Sequence, residues 1–293
     1  MYIVSPFTPL FFHPSSDAFQ SPSGNVQVWS PDDRILVQVI SFDTSDDVPT
    51  AKLNSFDERM VKTESALVWS TWRMNTDVTI YWTIISDLTN GLYSVTIDKE
   101  SERFRVTDDE QELSRTTLLQ YSSSSNRERK DVCFWIDMQQ YFFSFRVPGG
   151  FKDNGWQFGV DNEQFTDMDR DVSDVFAHEQ LVKVFTLGNS IGVPPWYAHL
   201  LNMALCCSYV YLDGVRYVRS EGSVPEMNET VETLKSYIYK QSLVQVRYLD
   251  PEIEQRNQLS IRRVYLNSGR TNAEEVYRDV SVGNEEYLIR NRT

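Results

Sequence analysis

Short apolar runs separated by polar turn clusters dominate the first 165 residues. Positions 25–29 (NVQVW), 35–41 (ILVQVIS), 66–74 (ALVWSTWRM), 78–85 (VTIYWTII) and 92–98 (LYSVTID) are rich in β-branched and aromatic side chains and predict strands. Ser30-Pro31-Asp32-Asp33, the 43–49 stretch DTSDDVP and Thr89-Asn90-Gly91 supply turns between them. Short strands at this spacing favour a β-sandwich or jelly-roll over a βαβ arrangement. The polar run 122–130 (SSSSNRERK) then predicts a long exposed loop or a domain boundary.

Beyond it, 132–137 (VCFWID) and 141–147 (YFFSFRV) read as a hairpin-like pair ended by Pro148-Gly149-Gly150, and 156–160 (WQFGV) as a further strand. An acidic connection, 161–174, leads to a strand at 181–187 (LVKVFTL). Pro194-Pro195 opens the one convincing helix, to about Cys207, with Trp196, Leu200, Met203 and Cys207 along one stripe and an apolar surface wide enough to be buried against a sheet. In YVYLDGVRYVR (209–219), Asp213-Gly214 suits a type I′ turn that sets Leu212 opposite Val215 and Tyr211 opposite Arg216. Strand-like segments return at 236–249 and 259–266. The expected fold is mainly β: two β-rich, sandwich- or jelly-roll-like domains at 1–125 and 131–266, the second with one buried helix near 195–207, and a peripheral tail at 267–293.

Composition narrows the function classes. The 293 residues hold 28 basic and 42 acidic side chains, a net charge of -14, which argues against a general binder of nucleic-acid backbones. With 41% hydrophobic and 24% charged residues the chain belongs to neither the disordered nor the membrane-embedded class, and no apolar run approaches the ~18 residues of a span. The opening MYIVSPFTPLFFHP has no basic n-region and is broken by Pro6, Pro9 and Pro14, so synthesis in the cytoplasm without a signal peptide is expected. Cys133, Cys206 and Cys207 cannot make a disulfide framework and read as small buried hydrophobes. His13, His178 and His199 lie far apart and seed no zinc site.

Candidate chemistry is sparse. Gly188-Asn189-Ser190-Ile191-Gly192 fits the G-x-S-x-G elbow of serine hydrolases, between a predicted strand and helix. The only downstream histidine is His199, nine residues on and inside that helix, so glycines serving backbone geometry are favoured over a catalytic Ser190. Asp167-Met168-Asp169-Arg170-Asp171, with Asp174 and Glu163 nearby, starts like an EF-hand loop but offers Val172 and His178 where glycine and glutamate are required, so a solvated acidic loop is expected. Trp29, Trp69, Trp72 and Trp82 are candidate contacts for a partner or a glycan, with core packing as the competing reading; alternation sets Trp69 and Trp72 on opposite faces. No catalytic, cofactor-binding or metal-binding residue is assigned.

The stretches Phe145-Arg146-Val147-Pro148-Gly149-Gly150-Phe151, Val160-Asp161-Asn162-Glu163-Gln164-Phe165, Gly192-Val193-Pro194 with Trp196, and Asp213-Gly214-Val215-Arg216-Tyr217-Val218-Arg219 carry a resemblance. Over about 134–219 the chain resembles uncharacterised proteins of phages and prophages of gut bacteria that accompany tail and baseplate components. The resemblance implies a structural, non-enzymatic part of a virion tail or tail-like particle, forming a ring or baseplate with copies of itself and other tail proteins. It implies no catalytic residues, and together with the acidic charge and the lack of a long apolar run the expectation is no cofactor, no nucleic acid and no membrane insertion. A carbohydrate-binding, adhesin-like module recognising host surface glycans is the alternative, and a serine hydrolase a lesser one.

Overall fold

The computed structural model describes residues 2–12, 26–42, 48–127, 129–152, 157–168, 170–189, 192–231 and 236–246. The expected strand at 259–266, the tail at 267–293, Ser190, Asp169 and His13 lie outside them. Strand makes up 54% of the described residues and helix 7%, so the protein is mainly β.

In chain order the elements are β1 (Tyr2–Val4), β2 (Gln27–Trp29), β3 (Ile35–Ser41), β4 (Ala51–Phe56), β5 (Lys62–Ala66), β6 (Ser70–Arg73), β7 (Thr79–Ile85), β8 (Gly91–Ile97), β9 (Lys99–Glu100) and β10 (Phe104–Val106). Then come α1 (Glu110–Leu113), β11 (Thr116–Ser122), β12 (Trp135–Ile136), β13 (Gln139–Gln140), β14 (Phe143–Phe151), β15 (Gln157–Thr166) and β16 (Val172–Leu187). The last are α2 (Pro195–Ala204), β17 (Tyr209–Leu212), β18 (Val215–Arg219), β19 (Glu226–Val231) and β20 (Ser236–Gln245).

The N-terminal strands form two sheets, β1-β3-β7-β6 and β2-β10-β8-β4-β5, with β9 paired to β8. Every residue of β3 is buried, because both faces of its sheet are covered. Ile35, Val37, Val39, Tyr81 and Ile85 face the second sheet and share one core with Trp29, Tyr93, Val95, Phe104 and Val106. The alternate residues, in the cross-strand row Ile3, Ile40, Ile80 and Trp72, enter a different core with Leu119, Phe143 and Phe145 from beyond residue 110. The four-stranded sheet is therefore a middle layer, with a sandwich on one side and the C-terminal half on the other.

The C-terminal half is a closed barrel. The ladder runs β11–β14, β14–β16, β16–β20, β20–β18, β18–β17 and back through β17–β11, so six strands close on themselves. Alternation points Leu119, Phe145, Phe185, Leu187, Leu212 and Leu243 into one core. Phe151 of β14 and Tyr217 of β18 are not neighbours in the ladder, yet their ring centroids approach to 4.8 Å across the interior.

The helix begins at Pro195 with Pro194 as N-cap and ends at Ala204. Its buried residues are Tyr197, Ala198, Leu200, Leu201 and Ala204, with Tyr197 stacked on Phe11 (4.6 Å) and packed on Phe145 (5.7 Å), while Trp196, Met203 and Cys207 of the expected stripe are half-buried against the same core. The Asp213-Gly214 hairpin has the register its spacing predicts, Leu212 with Val215 and Tyr211 with Arg216, and both turn residues have positive φ.

Two readings need correction. Residues 122–130 do not separate two cores, since β11, on the N-terminal side of that expected boundary, pairs with both β14 and β17. Asn126 ties the run down, accepting from the Phe134 and Trp135 amides (2.8 and 2.9 Å) and donating to the Trp135 carbonyl (2.7 Å). Buried Gln38 acts similarly, donating to the Cys133 carbonyl (2.8 Å) and accepting from its amide (2.7 Å). Pro148-Gly149-Gly150 does not end a strand either: β14 runs through it to Phe151, and the tight hairpin is β12–β13, turning at Asp137 and Met138 with φ of 48° and 63°.

Glu102 links the layers. Its amide donates to the Phe11 carbonyl (2.7 Å), and burial pushes its carboxyl up from 4.5 to about 7, a rise the facing Trp196 indole opposes. A carboxyl whose folded value is raised stabilises the fold fully below its unfolded value, and the contribution is lost as pH climbs from 4.5 to about 7. Discounted for the solvent that still reaches it, the loss is ~1–2 kcal/mol. Glu102→Gln is expected to be more stable than the parent at pH 8 and equal to it at pH 4. Urea midpoints across that range measure the difference, and parallel profiles would refute it.

Candidate functional site

The most distinctive local feature joins the expected strand at 156–160 to residues 161–174, expected to be an acidic loop. β15 and β16 pair from Gln157↔Val182 to Thr166↔Val172, with a bulge between Glu163 and Gln164. The ribbon closes at its tip through Asp167 N to Asp171 O (3.0 Å) and Asp171 N to Asp167 Oδ1 (3.0 Å), with Arg170 at φ 67°. β20 and β14 pair with β16 only from Val182 onward, so among the described residues the strand has β15 alone from Val172 to Leu181. Ten residues at ~3.3 Å each give a two-stranded arm about 30 Å long leaving the barrel.

The arm carries the wrong side chains for solvent. Phe158 is 84% exposed, Phe165 60% and Val160 63%, and Val172, Val175 and Met168 are also open. Phe176 rests on His178, ring centroids 5.6 Å apart. Exposed large apolar side chains on both faces of a ribbon point to an interaction site, and an isolated hairpin is at best marginally stable in water. The outer edge of each strand also lacks a ladder partner among the described residues, leaving main-chain groups available for pairing. Seven acidic residues between 157 and 182 (Asp161, Glu163, Asp167, Asp169, Asp171, Asp174, Glu179) face one arginine, Arg170, so this segment supplies -6 of the chain's -14. Charge on an open strand edge suppresses indiscriminate association.

The tryptophans do not form a platform. Trp29 is 1% exposed and belongs to the sandwich core, where it cannot stack on a sugar. Trp69 is half-buried against that same core and donates its indole N–H to the Pro49 carbonyl. Trp72 and Trp82 are half-buried on the opposite face of the middle sheet, Trp82 meeting Tyr141 edge-on at 5.9 Å.

The G-x-S-x-G segment is described only at Gly188, Asn189 and Gly192. A Cβ on Gly188 would stand 2.9 Å from both Gly192 Cα and Tyr237 O, so this glycine is required by a close backbone approach. Among the described residues the adjoining cleft, about 480 Å3, is lined by Arg115 and Lys152 as its charged side chains, and none of these lining residues is an acid or histidine that could act as a base.

Cys133 is buried and its thiol is pushed up to about 12, whereas Cys206 is exposed and Cys207 half-buried, contrary to the expectation of three buried cysteines. Among the described residues no three histidine, cysteine or acidic side chains converge on a point, and no helix is long and apolar enough to cross a membrane. The ribbon beyond the expected strand at 156–160 carries no readable alternation, because among the described residues neither of its faces is covered by core; the signal present was Phe165, Val175 and Phe176 within an acidic stretch. Comparison of the chain with protein-family models, with curated proteins and with solved structures finds no match.

Proposed function

We propose that the protein is a structural, non-enzymatic component of a phage tail or tail-like particle, made in the host cytoplasm and incorporated into the virion. It assembles with copies of itself and with other tail proteins by protein–protein contact. One observation carries the assembly reading: a rigid barrel extends an exposed, apolar two-stranded ribbon with open edges. The tail context rests on the resemblance over 134–219, which includes the ribbon. Of the four tryptophans that motivate the glycan-binding alternative, Trp29 is buried and Trp69, Trp72 and Trp82 are half-buried against the two cores.

Light scattering and negative-stain microscopy of the full chain test this reading, with rings or defined oligomers expected and a monodisperse monomer overturning it. A second test shortens the arm, replacing 160–179 by Asn-Gly between the paired residues Gly159 and Gln180. The melting transition is expected to stay within ~1 kcal/mol of the parent, because the removed residues contribute no core. The assembly is expected to fall to monomer, and an unchanged mass distribution would refute a role for the ribbon.

A further inference from the structure

The chemistry of the ribbon limits what it can dock on. With exposed phenylalanine and valine side chains and a charge of -6, two ribbons repel each other, and a surface both apolar and cationic is complementary. The outer wall of the barrel carries such a strip. Val182, Val244 and Val218 lie directly opposite one another across β16, β20 and β18. Leu243 and Tyr217 point into the core, so alternation turns Val244 and Val218 outward, and Val218 is 42% exposed. Arg216 and Lys240 share this outer face, Arg216 held at the wall with its guanidinium 5.1 Å above the Tyr209 ring. None of the outward positions 182, 184, 216, 218, 240, 242 and 244 is acidic, in a chain with 42 acidic residues; Thr186 on the same face is buried, and Glu226, opposite Lys240 on β19, bounds the strip.

We infer that this valine strip, flanked by Arg216 and Lys240, receives the ribbon of a second copy of the chain. The inference deepens the assembly reading and rests on it. A chain's own ribbon continues β16 away from Val182, so it cannot fold back onto its own strip while the ladder to β15 stays paired. The contact joins two different surfaces of the chain, so it closes as a reciprocal pair of copies or, where the rotation about an axis closes, as a head-to-tail ring.

A photo-crosslinking residue at Phe165 of the full chain tests this, with Met168 as a second probe position should the first disturb folding. Mixed isotopically labelled and unlabelled copies are irradiated, and the linked peptides are sequenced. Links from the ribbon of one copy to residues 182–184, 216–218 or 242–244 of another are expected. Lys240→Glu combined with Arg216→Glu is expected to weaken assembly tenfold or more, and Asp161→Lys with Glu163→Lys in the same chain to recover part of that loss. Intercopy links confined to another region, in a sample that still assembles, overturn the inference and leave the assembly reading standing. A sample that stays monomeric overturns both.

Discussion

Asp33→Ala is expected to destabilise the fold by about 3 kcal/mol, toward the lower end of the loss when one partner of a buried ion pair is removed. Asp33 ends the turn before β3, and Arg146 projects from β14, so their pair joins the N-terminal layers to the barrel. Arg146 Nε donates to Asp33 Oδ2 (2.6 Å) and Nη2 to Oδ1 (2.9 Å), while Nη1 donates to Thr116 Oγ1 (3.0 Å). The side chains are only 12% and 4% exposed, so solvent cannot take over the cation's hydrogen bonds when the carboxylate is lost. Oδ2 of Asp33 also accepts from the Ser30 amide (2.8 Å), and the alanine variant loses that turn contact too.

Asp213 moderates the loss. Burial pushes its carboxyl up, and its remaining charge interacts with Arg146, which leaves the guanidinium partly compensated. Arg146→Met in the same chain is expected to recover part of the stability by removing the buried charge that Asp33→Ala strands. Urea unfolding of the single and double variants measures both effects. A single-variant loss below ~1 kcal/mol would show that the pair does not join the layers.

The strands of the N-terminal half were legible because a covered face imposes a pattern. Ile35 to Ser41 read as strand from its apolar density, and the structure buries all of it. What local pattern could not report was which face meets which layer: Leu36 and Ile40 enter one core, Val37 and Val39 another, and only tertiary pairing tells them apart. The same limit misplaced the domain boundary. A serine-rich run normally marks a linker, but here Asn126 spends its amide on the backbone of Phe134 and Trp135, and long-range ladders from β11 cross the run. At the site, the acidic stretch 161–174 expected as a loop holds a tight turn only at Asp167–Asp171, and the strands around it have two solvent faces and so no period to detect.

Gly149→Ala is expected to cost more than ~4 kcal/mol or to prevent accumulation of folded protein, whereas Gly150→Ala is expected to lie within ~1 kcal/mol of the parent. The neighbours differ in what a side chain would meet. Gly149 sits at φ 146°, and a Cβ there would lie 2.2 Å from the Thr186 carbonyl oxygen and 3.0 Å from Leu187 Cα, all backbone of the adjacent strand. No rotamer relieves such a clash, so β14 and β16 would have to separate at Gly149↔Leu187. That pairing is one of the six that close the barrel, and Leu187 and Phe185 beside it are fully buried. A Cβ on Gly150 meets only Thr117 Oγ1, at 3.5 Å, an ordinary contact. Soluble yield and urea midpoints of the two variants therefore read barrel closure directly. If Gly149→Ala were as stable as Gly150→Ala, β14 would not approach β16 closely enough to close the ring, and the strip across β16, β20 and β18 would lose its rigid support.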